Sequence, residues 1–273
     1  MPELPEVETI TRQLRTSVVG TKIVKVKVFD TKKIKLKLAC LQNKRITDVF
    51  RLGKRILVKI QTGKKDRRKG EFLYLSFHLR MTGRLIWLPE KCTADTGHLR
   101  LLIVTDKGNL CFYDVRRFGV VELGSSQAEF KRALEPLGEE FSYENFARLF
   151  SKSTQSIKQF LLRQDKIAGI GNIYASEILF YAGVSPLRKV NTLPEAGLCR
   201  IFKAIRLVLN QAVKHGGTTF SDYQDCFGKT GGHQKHLKVY LKAGQPCPNC
   251  RIGTIMRVVQ QQRSTFYCPN CQA

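Results

Sequence analysis

Four cysteines near the C-terminus constrain this chain more than any other feature. Cys247-Pro-Asn-Cys250 is followed by 17 residues and then by Cys268-Pro-Asn-Cys271. Four thiolates paired at this spacing make a tetrahedral structural zinc site. The expectation is one zinc per chain, held by Cys247, Cys250, Cys268 and Cys271. The metal closes a small hairpin that buries too little surface to fold alone. Disulfides are the competing use of such cysteines, and they belong to oxidising compartments. The start of the chain is acidic and shows no signal-peptide pattern, so the expected location is the cytosol. Cys40, Cys92, Cys111, Cys199 and Cys226 are scattered, mostly among apolar neighbours, and read as reduced thiols.

The second constraint is charge. The 273 residues carry 47 Lys+Arg against 22 Asp+Glu, a net 47 − 22 = +25. Such an excess needs a polyanionic partner, and nucleic acid is the commonest. A membrane surface is the rival, but no apolar run approaches the roughly 18 residues of a spanning helix. The length suits two domains, each with its own core.

Along the chain the hydrophobic period changes twice. Val7, Ile10 and Leu14 recur at helical spacing, which predicts an amphipathic helix from Glu6 to about Arg15. From Thr21 the period is two: Val24, Val26 and Val28 alternate with lysines, as do Ile34, Leu36 and Leu38. These read as half-buried strands with lysine-lined outer faces. Further strand-like runs cover 55–60, 72–81, 98–105 and 109–113, with a charged hairpin tip at 63–70. Many short strands with turn signals predict a β-sandwich or barrel over residues 2–125. Helical spacing begins near Gln127. Thr192-Leu-Pro-Glu195 reads as a capping box, and the helix after it buries Leu198, Ile201, Ile205 and Leu209 before Gly216-Gly217. Residues 218–236 read as a mobile loop. Gly169-x-Gly171 is not a dinucleotide fingerprint, since position six is Tyr174 and no strand–helix–strand unit surrounds it. It reads instead as a turn between helices, with Asn172 capping the second and backbone N–H groups free for a phosphate.

The N-terminus, Met1-Pro2-Glu3-Leu4-Pro5-Glu6-Val7-Glu8, supports two readings. Proline and acidic residues suit the first turn of a helix. Alternatively, loss of Met1 leaves Pro2 with a secondary α-amine, a group whose pKa is roughly 7.7–8.0. Attack of that amine on a sugar carbon gives an iminium ion, a good electron sink. Glu3 and Glu6 would then serve as acid and orienting group.

Taken with the cysteine tail, Pro2-Glu-Leu-Pro-Glu-Val-Glu8 resembles the start of formamidopyrimidine-DNA glycosylase, a bacterial family that excises oxidised purines. The resemblance runs nearly end to end. It is carried also by Leu52-Gly53-Lys54, His78-Leu-Arg-Met-Thr-Gly83, Asp114-Val-Arg-Arg-Phe-Gly119, Ala168-Gly-Ile-Gly-Asn-Ile-Tyr-Ala-Ser-Glu177 and Gln262-Arg-Ser-Thr265. It implies an α+β fold: an N-terminal helix plus β-sandwich domain (2–125), a helical domain with a helix–two-turn–helix motif (126–237) and a four-Cys zinc finger (238–273). It also implies Pro2 as nucleophile, Glu3 as proton donor in sugar-ring opening, Glu6 beside them, Lys54 in β-elimination and Arg263 in δ-elimination. Lys54 and Arg263 also suit plain phosphate contacts.

By the same resemblance, Met81, Arg116 and Phe118 enter the duplex when the damaged base is flipped out. His98, Asn172 and the Lys152-Ser153 pair contact DNA. The residues alone favour core for Met81, because it shares a strand face with Leu73, Leu75, Phe77 and Leu79. His98 alone reads as an ordinary surface or core histidine. Two departures stand out: Arg80 where the family commonly has glycine, and Ser153 where it has a basic residue. The implied partner is duplex DNA with oxidised purines or abasic sites, met by a monomer in the bacterial cytoplasm at the nucleoid. The alternatives are an endonuclease VIII-like enzyme for oxidised pyrimidines and a non-catalytic damaged-DNA binder. Leu4 and the Val7-Glu8 extension argue against the first, and the full set of catalytic residues against the second.

Overall fold

The computed structural model describes residues 1–36, 38–66, 70–89, 94–131, 133–150 and 153–273. The chain divides into two compact units. One comprises Met1–Lys131 with His215–Gly232; the other comprises Arg132–Lys214 with His233–Ala273.

The first unit opens with helix α1 (Leu4–Val18). A reciprocal capping box starts it: the Glu3 side chain takes the Glu6 N–H, and the Glu6 side chain takes the Glu3 N–H. Leu4, Val7, Ile10, Leu14 and Val18 form its buried face. Eight strands follow among the described residues: β1 (Ile23–Val28), β2 (Arg45–Leu52), β3 (Arg55–Asp66), β4 (Gly70–His78), β5 (Gly83–Pro89), β6 (Leu99–Thr105), β7 (Gly108–Asp114) and β8 (Val120–Gly124). They form two antiparallel four-stranded sheets, ordered β1-β6-β7-β5 and β2-β3-β4-β8. Alternate residues of both sheets meet in one core: Ile56, Val58, Leu75 and Phe77 from one, Leu85, Leu101, Ile103 and Phe112 from the other, with α1 packed in. Phe77 and Phe112 lie 5.7 Å apart across it. Of the two expected architectures this is the sandwich.

The second lysine alternation does not make a strand. Residues 31–36 are turn and coil, and Leu38–Leu41 is a short 3-10 helix. The cause is Asp30, whose carbonyl accepts the Ile34 N–H (2.9 Å) and whose carboxylate accepts the Lys33 N–H (3.2 Å). That turn buries Ile34 and Leu38 in the core four positions apart and leaves Leu36 only partly buried against it.

The second unit contains α2 (Tyr143–Arg148), α3 (Ile157–Leu161), α4 (Asn172–Ala182) and α5 (Glu195–Lys214), then a hairpin of β9 (Met256–Gln260) and β10 (Arg263–Tyr267). Phe141, Phe146, Phe150, Phe160 and Phe202 stack into an aromatic cluster under α5. Two expected caps are absent. Thr192 donates its hydroxyl to the Lys189 carbonyl (2.9 Å) and not to the start of α5. Gly171 is the N-cap of α4, so Asn172 is the first helical residue and its side chain is released for other contacts. Between α3 and α4 the chain makes two turns, pinned by Gln164, which accepts the Gly169 N–H (3.0 Å) and donates to the Ile170 carbonyl (2.7 Å). No helix among the described residues is long and apolar enough to cross a membrane.

Candidate functional site

In the first unit the head of α1 is held from two sides. Glu6, 1 % exposed, accepts the Glu3 N–H at 2.7 Å and the Thr218 N–H at 2.7 Å, so a single carboxylate joins the N-terminus to the 215–232 segment. The Tyr223 hydroxyl adds bonds to the Gly216 carbonyl (3.1 Å) and the Glu6 carbonyl (3.4 Å). Farther on, Asp225 and Cys226 bond both ends of the Gln13 amide. This segment, expected to be a mobile loop, is therefore anchored along α1. Pro2 and Glu3 are both buried. The helix-start and nucleophile readings of this sequence are compatible, because the cap is what fixes Pro2 and Glu3 in place.

Lys54 occupies the two-residue turn between β2 and β3, where Leu52 pairs with Arg55 and Gly53 takes φ 57°. That turn is tied back to α1. Arg51 donates to Glu8 (2.8 Å) and to the Gly53 carbonyl (3.0 Å). Burial alone would raise the Glu8 carboxyl, but the Arg51 and Arg12 guanidiniums outweigh it and hold it below the usual carboxylate range. Facing Arg55 across the sheet is His78. Burial, then the charges of Arg80, Arg55 and Lys54, push its imidazole down to about 3. His78 is thus a neutral histidine amid cations, with Nδ1 accepting the Arg80 N–H (3.2 Å). Neither Glu8 nor His78 was singled out from the sequence. Their signal was only that each sits inside a motif whose other members were.

Met81 lies beyond the end of β4 and is 43 % exposed, which removes it from the core. Arg116 and Phe118 are exposed on the loop after β7, with the guanidinium 4.9 Å from the ring centroid. Asp114, 1 % exposed, binds the two loops together. Its carboxylate accepts the Thr82 hydroxyl (2.5 Å) and the Gly119 N–H (2.6 Å), and Thr82 in turn accepts the Arg116 N–H (3.1 Å). His98 is exposed, and its carbonyl takes the Asp114 N–H (3.0 Å), so it joins the same cluster. Arg80 has φ 54°, in the left-handed region that glycine occupies freely.

In the second unit Asn172 bonds the residue that follows Arg263. The Asn172 amide donates to the Ser264 carbonyl (3.0 Å) and to Tyr240 Oη (3.4 Å), while its Oδ1 is buried with no partner. Lys158, 1 % exposed, donates to the same Ser264 carbonyl (3.0 Å) and to Thr265 Oγ1 (2.7 Å). Arg263 lines a cleft of about 200 Å³ with Lys158, Arg163 and Gln260. Buried Glu177 collects the N–H groups of Lys238, Val239 and Tyr240 at 2.8–2.9 Å and so sets Tyr240 beside Asn172. Ser153 lines a different groove of about 480 Å³ with Arg148, Arg163 and Lys166. Lys152 lies outside the described residues.

The four cysteine sulfurs lie within 4.8 Å of one another. Cys247 Sγ is 3.7 Å from Cys271 Sγ, and Cys250 Sγ is 3.8 Å from Cys268 Sγ. A tetrahedron with Zn–S bonds of about 2.3 Å has edges of about 3.8 Å, so the donor set fits zinc. A Cβ on Gly253 would stand 2.9 Å from Cys268 Sγ, which is why the knuckle carries glycine.

A β-sandwich, a helix–two-turn–helix unit, a zinc finger and this distribution of basic and apolar groups define a DNA glycosylase. Three family models match in order: the formamidopyrimidine-DNA glycosylase N-terminal domain over residues 1–121, its H2TH domain over 133–224, and the zinc finger found in FPG and IleRS over 244–273. The chain belongs to the formamidopyrimidine-DNA glycosylase family, whose members are DNA glycosylase and abasic-site lyase enzymes. It is 37 % identical over 285 residues to the Herpetosiphon aurantiacus enzyme, covering 100 % of both chains. It is 39 % identical over 277 residues to that of Carboxydothermus hydrogenoformans, again covering 100 % of both. Among solved structures, MutM (Fpg) of Thermus thermophilus superimposes with a TM-score of 0.85 at 36 % identity, over 99 % of this chain and 98 % of that one. A Lactococcus lactis Fpg bound to DNA containing an abasic site gives 0.85 at 33 % identity, over 99 % of both chains.

Proposed function

We propose that this chain removes oxidised purines from duplex DNA and then cleaves the strand at the resulting abasic site, with Pro2 as the nucleophile. The observation that carries the reading is the Glu3–Glu6 cap, which fixes the first residues of the chain at the head of a buried helix. Removal of Met1 frees the Pro2 amine. That amine attacks C1′ and displaces the base, which takes up the proton the amine sheds; Glu3 then protonates the ring oxygen and the sugar opens to an iminium ion. The iminium acidifies the neighbouring carbon, so the 3′ phosphate and then the 5′ phosphate are eliminated. Lys54 and Arg263 hold phosphates and assist these departures. Met81, Arg116 and Phe118 occupy the gap left by the flipped base, while His98, Asn172, Ser153 and Lys152 hold the backbone. One zinc per chain, on Cys247, Cys250, Cys268 and Cys271, orders the hairpin that presents Arg263. We further infer a monomer that works in the bacterial cytoplasm on chromosomal DNA.

Borohydride trapping on duplexes bearing 8-oxoguanine, formamidopyrimidine or an oxidised pyrimidine tests the reading. The expected result is a covalent adduct, most abundant on the oxidised purines. Pro2→Gly should lose most base excision and trapping. Glu3→Gln should lose excision yet keep some cleavage at a pre-formed abasic site, whose open-chain aldehyde needs no ring opening. Equal inactivity of both variants on abasic DNA would refute this division of labour.

A further inference from the structure

Six lysines crowd the stretch from Lys22 to Lys35: Lys22, Lys25, Lys27, Lys32, Lys33 and Lys35, all exposed. None has an ion-pair partner among the described residues. The one acid in the stretch, Asp30, is buried and already bonded to Arg117 by two hydrogen bonds of 2.7 and 2.6 Å. Part of the pattern has a plain explanation. β1 is an edge strand, and lysines on an edge discourage pairing with other chains. That accounts for Lys25 and Lys27. It does not account for Lys32, Lys33 and Lys35, which stand on the turn and coil beyond the strand.

The position of that turn supplies a reason. Phe29 and Asp30 donate their N–H groups to the Arg100 carbonyl (2.9 and 3.3 Å), and Arg100 Nε donates to the Asp114 carbonyl (2.8 Å). Asp30 holds Arg117, which sits between Arg116 and Phe118 with φ 57°. The lysine turn is therefore fastened at two points to the loop that carries the residues assigned to the opened duplex. We propose that Lys32, Lys33 and Lys35 form a backbone-phosphate grip of their own, holding the stretch of duplex that flanks the flipped nucleotide on the Arg116–Phe118 side. Lysine suits the task because an ammonium on a flexible stem meets phosphate as a point charge, without demanding one register. The inference rests on the DNA-repair reading above.

The test measures binding of the full zinc-loaded protein to a duplex carrying a non-cleavable abasic analogue, as a function of salt. Each phosphate left without its lysine should reduce the slope of log K against log salt by about 0.9, so Lys32→Ala/Lys33→Ala/Lys35→Ala should lower it by about 2.7. The control removes three charges farther back along the sheet, between about 10 Å (Lys25) and about 20 Å (Lys22) from the Val28 end of β1 at 3.3 Å per residue. Lys22→Ala/Lys25→Ala/Lys107→Ala should leave slope and affinity as in wild type. The arginine triple at 32, 33 and 35 should restore the slope. An equal reduction in both alanine triples would reduce the effect to net charge, and no reduction in the first would leave these lysines a solvated face; either result overturns the proposal. If wild-type protein neither binds nor traps on damaged duplexes, the repair reading itself has failed. That outcome is distinct from a wild type that binds with a slope the lysine turn does not share.

Discussion

Thr82 and Asp114, 32 residues apart, meet in a 2.5 Å hydrogen bond that joins the turn bearing Met81 to the loop bearing Arg116 and Phe118. Thr82 also accepts the Arg116 N–H, so its hydroxyl both donates and accepts in a buried place. The three side chains proposed to fill the opened duplex have to enter it together, and this bond makes the two loops one body. Thr82→Val keeps the shape but leaves one oxygen of a buried carboxylate and one backbone N–H without their partner, a loss of about 2 kcal/mol. Urea unfolding should show that loss. The preference for damaged over undamaged duplex should fall while zinc content stays unchanged.

Adjacent glycines after α5 should differ in their tolerance of a methyl group. Gly216 and Gly217 both have positive φ, 72° and 79°. A Cβ on Gly216 meets nothing nearer than 3.9 Å, whereas one on Gly217 would stand 2.8 Å from Glu6 Oε1. Gly216→Ala should cost about 1 kcal/mol, the conformational share alone. Gly217→Ala should cost clearly more and should slow base excision, because it pushes the Glu6 carboxylate away from the Glu3 and Thr218 N–H groups. Single-turnover excision and unfolding measured on both variants check this.

His78 sets a pH dependence with a definite sign. Its folded-state value is near 3, below the unfolded value of about 6.5. The stability it contributes is fully present above pH 6.5. As pH falls below that, the unfolded chain binds a proton that the folded chain refuses, and stability drops by up to about 1.4 kcal/mol per unit. Few carboxylates titrate between pH 6.5 and 5, and comparison with His78→Gln cancels whatever the other four histidines contribute. The expected outcome is a flatter stability profile for His78→Gln than for wild type there, measured by denaturant unfolding at each pH.

Metal removal should be felt locally. Chelation, or Cys268→Ser, should unfold the β9–β10 hairpin, weaken DNA binding and disorder Arg263, while the sandwich keeps its unfolding transition. The core of the sandwich draws on no residue of the finger. A metal assay combined with near-ultraviolet circular dichroism separates the two effects.

What the amino-acid order determined by itself is whatever depends on neighbours. The four finger cysteines fall within 25 residues, the Glu3–Glu6 cap within one turn, and the apolar faces of α1 and α5 repeat at 3.6. Motif resemblance carried the family and most of the candidate residues. Tertiary structure decided the rest, because a period says which face is apolar and not what will cover it. Met81 continues the alternation of β4 and still stands outside the core, since Gly83 donates to the Leu79 carbonyl (3.0 Å) and turns the chain first. The alternation from Lys33 to Leu38 was defeated by one carboxylate at Asp30. Glu8 and His78 owe their electrostatics first to burial, and then to Arg51 for Glu8 and Arg55 for His78, which packing and sheet pairing bring to them. Glu6 finds the Thr218 N–H across 212 positions and Asp114 finds Thr82 across 32. Such buried polar bonds form only when the folded core has excluded the water that would otherwise satisfy each group, so no local pattern announces them.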